Sequence, residues 1–424
     1  MSELNRILRE LESCRDETAE VCSKLVQFPT AAPPGDTVEI VSYIEDYFRR
    51  ARIETETHTL ETRRPNLVGR IKGESERTLL WIGHLDVVPE GKSENWTYPP
   101  YSGSIRDGRV WGRGSSDMKG ANASAMVAAK ALAQYRPPHN IEFWFTVDEE
   151  IGGRAGARWL SEEHILKGDA ALIGDGGGCT PGLVNIGIGN KGGLGVRLTA
   201  RGRTAHGARP YQGDNAIDRL LAAIPYVRRI GDYRLELPAE LGPVIKASVE
   251  TMLKNDCLTD VQRLAVKSLF DYPTGPSLNV IQGGVKSNVV PDYAEASFDI
   301  RLTPGCDGTK VKARLDELIA KCGIPGVSVQ GSASKTVGYY EPTDSPFVKQ
   351  LSEAVEFVTG AKPSLTIAPW GTDAVSVRRL AGIPCLIYGP MVETQLHQPN
   401  EYVPISNLVT AAKAYAAFPF FHDQ

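Results

Sequence analysis

Imidazole and carboxylate groups recur at four places in this 424-residue sequence, each after a short apolar run. Residues 79–83 run into His84-Leu85-Asp86, and 141–147 into Asp148-Glu149-Glu150. Residues 170–174 run into Asp175-Gly176-Gly177-Gly178, and 385–389 into a loop carrying His397. Between the first two lies Gly112-Arg113-Gly114-Ser115-Ser116-Asp117-Met118-Lys119-Gly120. Neutral imidazole and ionised carboxylate offer lone pairs to a divalent transition metal without thiolate. His84, Asp117, Glu150, Asp175 and His397 suffice for two such ions sharing one carboxylate, a pair able to activate water and polarise a carbonyl together. Glu149, facing the other way along an extended segment, stays free to carry a proton. Each residue alone has an ordinary alternative: Asp117 as a helix N-cap, His84 as a satisfied polar group at a strand end, and 148–150 as a solvated acidic loop. Agreement among four run ends favours the metal.

The elements needed to position these groups are legible. The four apolar runs have the length of buried strands bounded by turn residues, and the Ala-rich stretch 121–132 reads as a helix between two of them. In an open α/β sheet the loops at the carboxyl ends of strands form the binding crevice, which is where the acids and imidazoles fall. After residue 191 the pattern changes. Val196, Leu198 and Ala200 alternate with polar residues, 216–227 is helical in spacing, alternation returns at Ala296, Phe298, Ile300 and Leu302, and 311–319 is again helical. The sequence therefore predicts an α/β catalytic domain from residues 1–191 and 333–424, with a small α+β domain inserted over 192–332.

Composition supports a large folded protein without long disorder: 42% apolar, 23% charged and a formal net charge of −4. Such a charge builds no basic field for nucleic acid. The charged amino terminus and the lack of an eighteen-residue apolar window predict a cytoplasmic protein with no membrane partner. Seven scattered cysteines, Cys14, Cys22, Cys179, Cys257, Cys306, Cys322 and Cys385, form no CxxC pair and read as free buried thiols.

The ordered motifs resemble those of the M20 metallopeptidase family, which includes acetylornithine deacetylase, succinyl-diaminopimelate desuccinylase, aminoacylase, carboxypeptidase G and several dipeptidases. The resemblance rests on residues 81–89, 112–120, 146–150 and 202–207, on Ser287-Asn288-Val289-Val290-Pro291 with Asp299-Ile300-Arg301, on Gly371-Thr372-Asp373, and on His397-Gln398-Pro399-Asn400-Glu401. It implies two divalent ions, zinc with manganese or cobalt as alternatives, held by His84, Asp117 and Asp175 and by Asp117, Glu150 and His397, with Asp117 as the bridge. It further implies that Asp86 accepts a hydrogen bond from the metal-bound histidine and that Glu149 is the general base. The inserted domain resembles the family's ferredoxin-like lid and dimerisation domain. There His206 supports the oxyanion of a neighbouring subunit in a homodimer, and Asn288, Arg301, Gly371 and Thr372 meet the substrate. The implied activity is hydrolysis of a C–N bond in a small amide, with N-acyl amino acids foremost. Asp175 followed by glycine stands where the family's deacylases carry Glu-Pro, and Asp there is typical of its aminopeptidases and dipeptidases. A dipeptidase, an aminohydrolase acting on an aromatic amine, and a non-catalytic binding protein are the alternatives. The three glycines predict open room beside the site.

Overall fold

The computed structural model describes residues 2–234, 236–254, 258–270, 275–331 and 337–421. The chain divides into two compact units, 1–189 with 341–368 and 372–424, and 190–340 with 369–371.

In the first unit the four apolar runs are the strands Thr78–His84, Asn140–Thr146, Ala170–Gly178 and Cys385–Gly389. They lie parallel in the spatial order Asn140–Thr146, Thr78–His84, Ala170–Gly178, Cys385–Gly389. All four carboxyl ends therefore share one edge of the sheet. Pro65–Ile71 and Glu54–Thr59 extend it antiparallel on one side, and Asn185–Asn190 on the other. A parallel sheet needs cover on both faces, which explains why these strands read as continuous apolar runs.

Helix Gly120–Leu132 supplies part of that cover. Its small side chains allow close approach, and every residue except Lys130 is buried. It packs against the helices Arg15–Val26 and Ile405–Ala417. The hydroxyl of Ser124 lies 2.9 Å from the Gly120 carbonyl and 3.0 Å from that of Leu408, so the polar group is satisfied inside the contact. The chain leaves this unit after Asn185–Asn190 and returns at Glu341, whose N–H donates to the Ile188 carbonyl at 2.7 Å.

The second unit is a four-stranded antiparallel sheet in the order Ser277–Gly283, Tyr293–Leu302, Gly192–Arg201, Val327–Gly331. With helices Ala216–Arg228 and Gly308–Cys322 it makes a βαββαβ unit of ferredoxin-like order. Burial alternates along Gly192–Arg201 and Tyr293–Leu302, and their inner residues Leu194, Val196, Leu198, Phe298 and Ile300 share one core with Leu220, Ile224 and Leu315 of the helices. Two further helices, Leu241–Leu253 and Asp260–Ser268, were not legible in the sequence; the second is closed by a Thr259–Gln262 capping box. The expected limit at 332–333 lies outside the described residues.

Among the described residues Cys14, Cys22, Cys179, Cys306, Cys322 and Cys385 are free thiols, Cys14 and Cys322 partly exposed; Cys257 lies outside the described residues. No described helix is long and apolar enough to cross a membrane.

Candidate metal centre

The shared strand edge brings five side chains together. Ligand atoms of His84, Asp117 and Asp175 lie within 4.8 Å of one another, and so do those of Asp117, Glu150 and His397. Asp117 belongs to both groups. One of its carboxylate oxygens is 3.3 Å from Nε2 of His84 and the other 3.4 Å from Nε2 of His397, which is itself 3.5 Å from Glu150. Asp117 is not a helix cap: its backbone is extended, and the helix begins at Gly120 behind Lys119.

Supporting contacts hold each ligand from behind. His84 ends its strand, and its carbonyl accepts from the Asn122 amide at 2.7 Å. Its Nδ1 donates to the backbone carbonyl of Asp86 at 2.9 Å, which leaves Nε2 with the lone pair a metal needs. This corrects the expected role of the Asp86 carboxylate, which stands 3.8 Å from that ring nitrogen. The carboxylate accepts instead from the N–H groups of Glu149 and Glu150 at 3.2 and 3.1 Å, fixing the turn that carries them. Asp148 anchors the same turn. It is buried with positive φ, and its carboxylate accepts from Arg64 at 2.7 Å and from the Ala155 N–H at 3.1 Å, so 148–150 is no solvated loop face.

Sequence reasoning gave Glu401 no role, yet it shapes the centre. It is fully buried, pairs with Arg113 at 2.5 Å, and accepts from the N–H groups of Ser116 and Asp117 at 2.9 and 3.1 Å. Asp373, quoted only as part of a motif, is buried beside the site and accepts from Thr146 at 2.9 Å. The clue available for Glu401 was its place four residues after His397, just ahead of the strand Tyr402–Pro404.

The electrostatics call for cations. Burial opposes charge on His84, but Asp117, Glu149 and Asp86 outweigh it and hold the imidazole well above its ordinary range. Hydrogen bonding to Asp117 and Glu150 pushes His397 up to about 10. Burial raises Asp117, and the two histidines outweigh it and hold its carboxyl well below the usual range. Burial and neighbouring acids push Glu149 and Asp175 well upward, and burial pushes Asp373 up to about 6. Nε2 of His84 and Oε1 of Glu150 are buried without a hydrogen-bond partner. Excess buried acid, orphaned ligand atoms and an N/O donor set together fit divalent ions at both groups.

The glycines after Asp175 do not leave open room, contrary to expectation. A side chain at Gly176 would strike Ile387 at 2.5 Å, and one at Gly178 the Asn185 carbonyl at 2.2 Å. Thr372 is engaged as a cap, accepting from the Ala374 N–H at 3.2 Å, while Gly371 belongs to the second unit. That unit also holds His206, Asn288 and Arg301. His206 and Asn288 are neighbours there: His206 pairs with Val289, and the Gly207 N–H donates to the Asn288 carbonyl at 2.7 Å. Arg301 lies near the far end of Tyr293–Leu302, roughly 26 Å along the strand at about 3.3 Å per residue, bound to Asp299 at 2.9 Å. The structure does not bring it to the other two within the unit.

The model of peptidase family M20/M25/M40 matches residues 80–419. The chain belongs to this family. It is a metal-dependent hydrolase of amide or peptide bonds. Among family relatives, a succinyl-diaminopimelate desuccinylase of Maricaulis maris is 30% identical over 370 residues, covering 82% of each chain. A solved M20 family metallo-carboxypeptidase from Sulfolobus solfataricus superposes with a TM-score of 0.79 at 23% identity, covering 96% of this chain and 99% of that one. The di-peptidase Dug1p of Saccharomyces cerevisiae gives 0.75 at 18%, covering 99% and 98%.

Proposed function

We propose that the protein hydrolyses the amide bond of a small N-acyl amino acid with two divalent ions, zinc foremost and manganese or cobalt as alternatives. The observation that carries this reading is Asp117 standing 3.3 and 3.4 Å from two histidines, with one further carboxylate in each group. His84, Asp117 and Asp175 would hold one ion and Asp117, Glu150 and His397 the other. When bound, the ions supply Lewis acidity that polarises the scissile carbonyl and acidifies the attacking water. Glu149 is outside both ligand groups, and burial with neighbouring acids raises its affinity for a proton. Its carboxylate takes the proton from the attacking water and delivers it to the departing nitrogen. Asp86 keeps Glu149 aimed by accepting its backbone N–H.

Arg301 offers a planar pair of donors suited to a substrate carboxylate. His206 and Asn288, side by side on the second unit, serve the developing oxyanion of a neighbouring subunit in a homodimer, and Gly371 and Thr372 border the substrate. The name of the Maricaulis relative supports an acylated amino acid as substrate. A second reading, a dipeptidase, is favoured by the short ligand Asp175. Metal content by mass spectrometry, paired with amine release from N-acyl amino acids and dipeptides, tests the proposal. Two ions per chain with chelator-sensitive turnover is the expected result. No turnover after loading with zinc, manganese and cobalt overturns it in favour of a binding protein.

A further inference from the structure

The segment 28–37, between helices Arg15–Val26 and Val38–Arg50, is bonded to three of the loops that carry the metal-group residues. At its start the Phe28 carbonyl accepts from Nζ of Lys119, just after Asp117, at 2.6 Å. In its middle the Thr30 hydroxyl donates to the Leu85 carbonyl at 2.6 Å, and the Ala32 N–H donates to that of Val87 at 2.8 Å, both just beyond His84. The third tie, to the turn carrying Glu149 and Glu150, runs through one side chain. Arg64 donates to the Pro34 carbonyl from Nε at 2.9 Å and from Nη2 at 2.5 Å, and to the Asp148 carboxylate from Nη1 at 2.7 Å. Glu61 lies 3.1 Å from the same Nη1, but it is 44% exposed and so a well-screened partner.

Asp148 is where this tie meets the chemistry. It immediately precedes Glu149, its side chain is 3% exposed, and its φ of 70° is one that a residue with a side chain adopts only when its surroundings enforce it. Its carboxylate accepts from the Ala155 N–H at 3.1 Å and its carbonyl from the Gly153 N–H at 2.6 Å. Removing the guanidinium strands a buried carboxylate, which is relieved by turning toward water and releasing Ala155. The N–H groups of Glu149 and Glu150 keep their acceptor in Asp86, so the turn persists while the residue leading into Glu149 is no longer held. A displacement of about 1 Å in a reacting group is worth about 10²-fold in rate.

We infer that Arg64 is a positioning residue for the hydrolysis: acting through Asp148, it aims the Glu149 carboxylate at the attacking water and keeps it in step with the His84 and Asp117 loops. The inference rests on Glu149 being the base proposed above.

The test measures kcat, KM and metal content of metal-saturated wild type, Arg64→Ala, Glu149→Ala and the double variant. The substrate is whichever of N-acetyl-leucine, N-succinyl-leucine and glycyl-leucine the wild type turns over fastest. Arg64→Ala should bind two ions and lose about 10–100-fold in kcat with little change in KM. Non-denaturing guanidinium chloride should restore part of that loss where sodium chloride does not, and the double variant should be no slower than Glu149→Ala. A merely structural role would lower folded fraction and metal content and leave kcat per metal-loaded chain unchanged. An unmoved kcat, a loss that guanidinium leaves untouched, or a further loss in the double variant overturns the inference. Should Arg64→Ala fail to fold, Arg64→Lys takes its place: an ammonium does not span Asp148 and the Pro34 carbonyl as the planar fork does, so kcat should fall while KM and metal content hold, and a wild-type kcat overturns the inference. Wild-type kcat in Glu149→Ala refutes the base assignment instead, and no turnover of any of the three substrates by wild type refutes the proposed hydrolysis; the inference falls with either.

Discussion

Replacing Glu401 with alanine removes three contacts at once, and its effect can be worked out from the geometry. Arg113, whose side chain is 3% exposed, loses its counter-charge, and the N–H groups of Ser116 and Asp117 lose their acceptor. Removing one partner of a buried ion pair costs about 3–5 kcal/mol. The two orphaned donors would add about 1–3 kcal/mol each if they stayed dry, but water entering the vacated volume offsets most of that. A net loss of about 4 kcal/mol is therefore expected in chelator-treated protein. Urea unfolding followed by tryptophan fluorescence reads it, since Trp81, Trp96, Trp111, Trp144 and Trp159 all belong to the first unit. Metal affinity should fall about 10–100-fold, because Asp117 is no longer held from behind. The Arg113→Met/Glu401→Gln pair keeps an acceptor for both N–H groups and removes the stranded cation, so it should recover at least half of the stability and most of the metal affinity. Glu401→Ala within about 1 kcal/mol of wild type, with unchanged metal affinity, would refute the reasoning.

Glu149→Ala should retain two metal ions by mass spectrometry while losing about 10²–10⁴-fold in turnover; wild-type activity in the metal-replete variant defeats the proposed base. A side chain on Gly156 would lie 1.8 Å from the Val147 carbonyl. Gly156→Ala should therefore shift the turn carrying Glu149 and Glu150, lower stability by about 1–3 kcal/mol and reduce metal stoichiometry toward one; two ions bound as in wild type would contradict this. Lys191 is buried, which depresses its amine to about 7 from an ordinary 10.5. Between those values the unfolded chain holds the extra proton, so this residue makes stability rise with pH through the window, its penalty being complete below about pH 7. Lys191→Met should flatten that slope, measured as urea midpoints at several pH values across the window; an unchanged slope excludes the buried amine as its source.

The parallel strands were legible because full burial writes itself as unbroken apolar runs, and the βαββαβ unit because one-sided burial writes itself as alternation. The five metal-group residues could be singled out because each follows such a run or precedes the Ala-rich helix. What escaped depends on partners remote in the chain. Glu401 meets backbone 284 and 285 residues away, and no local pattern encodes that contact. Asp86 was expected to use its carboxylate on His84, but the backbone carbonyl of the same residue takes the ring N–H, a choice set by dihedral angles rather than residue type. The glycines read as empty space because sequence does not reveal what approaches a missing side chain. Leu241–Leu253 buries only Leu241, Val244 and Ser248 and Asp260–Ser268 buries nothing, so neither is written into the core pattern from which the other elements were read.

The hydrogen bond from Glu341 to Ile188 also bears on ancestry. A segment whose departure and return points touch across one backbone bond can be swapped, lengthened or lost by a single recombination event without re-registering the strands on either side. Changes of length within the intervening piece are therefore expected to leave the register of the strands that carry the metal groups as it is.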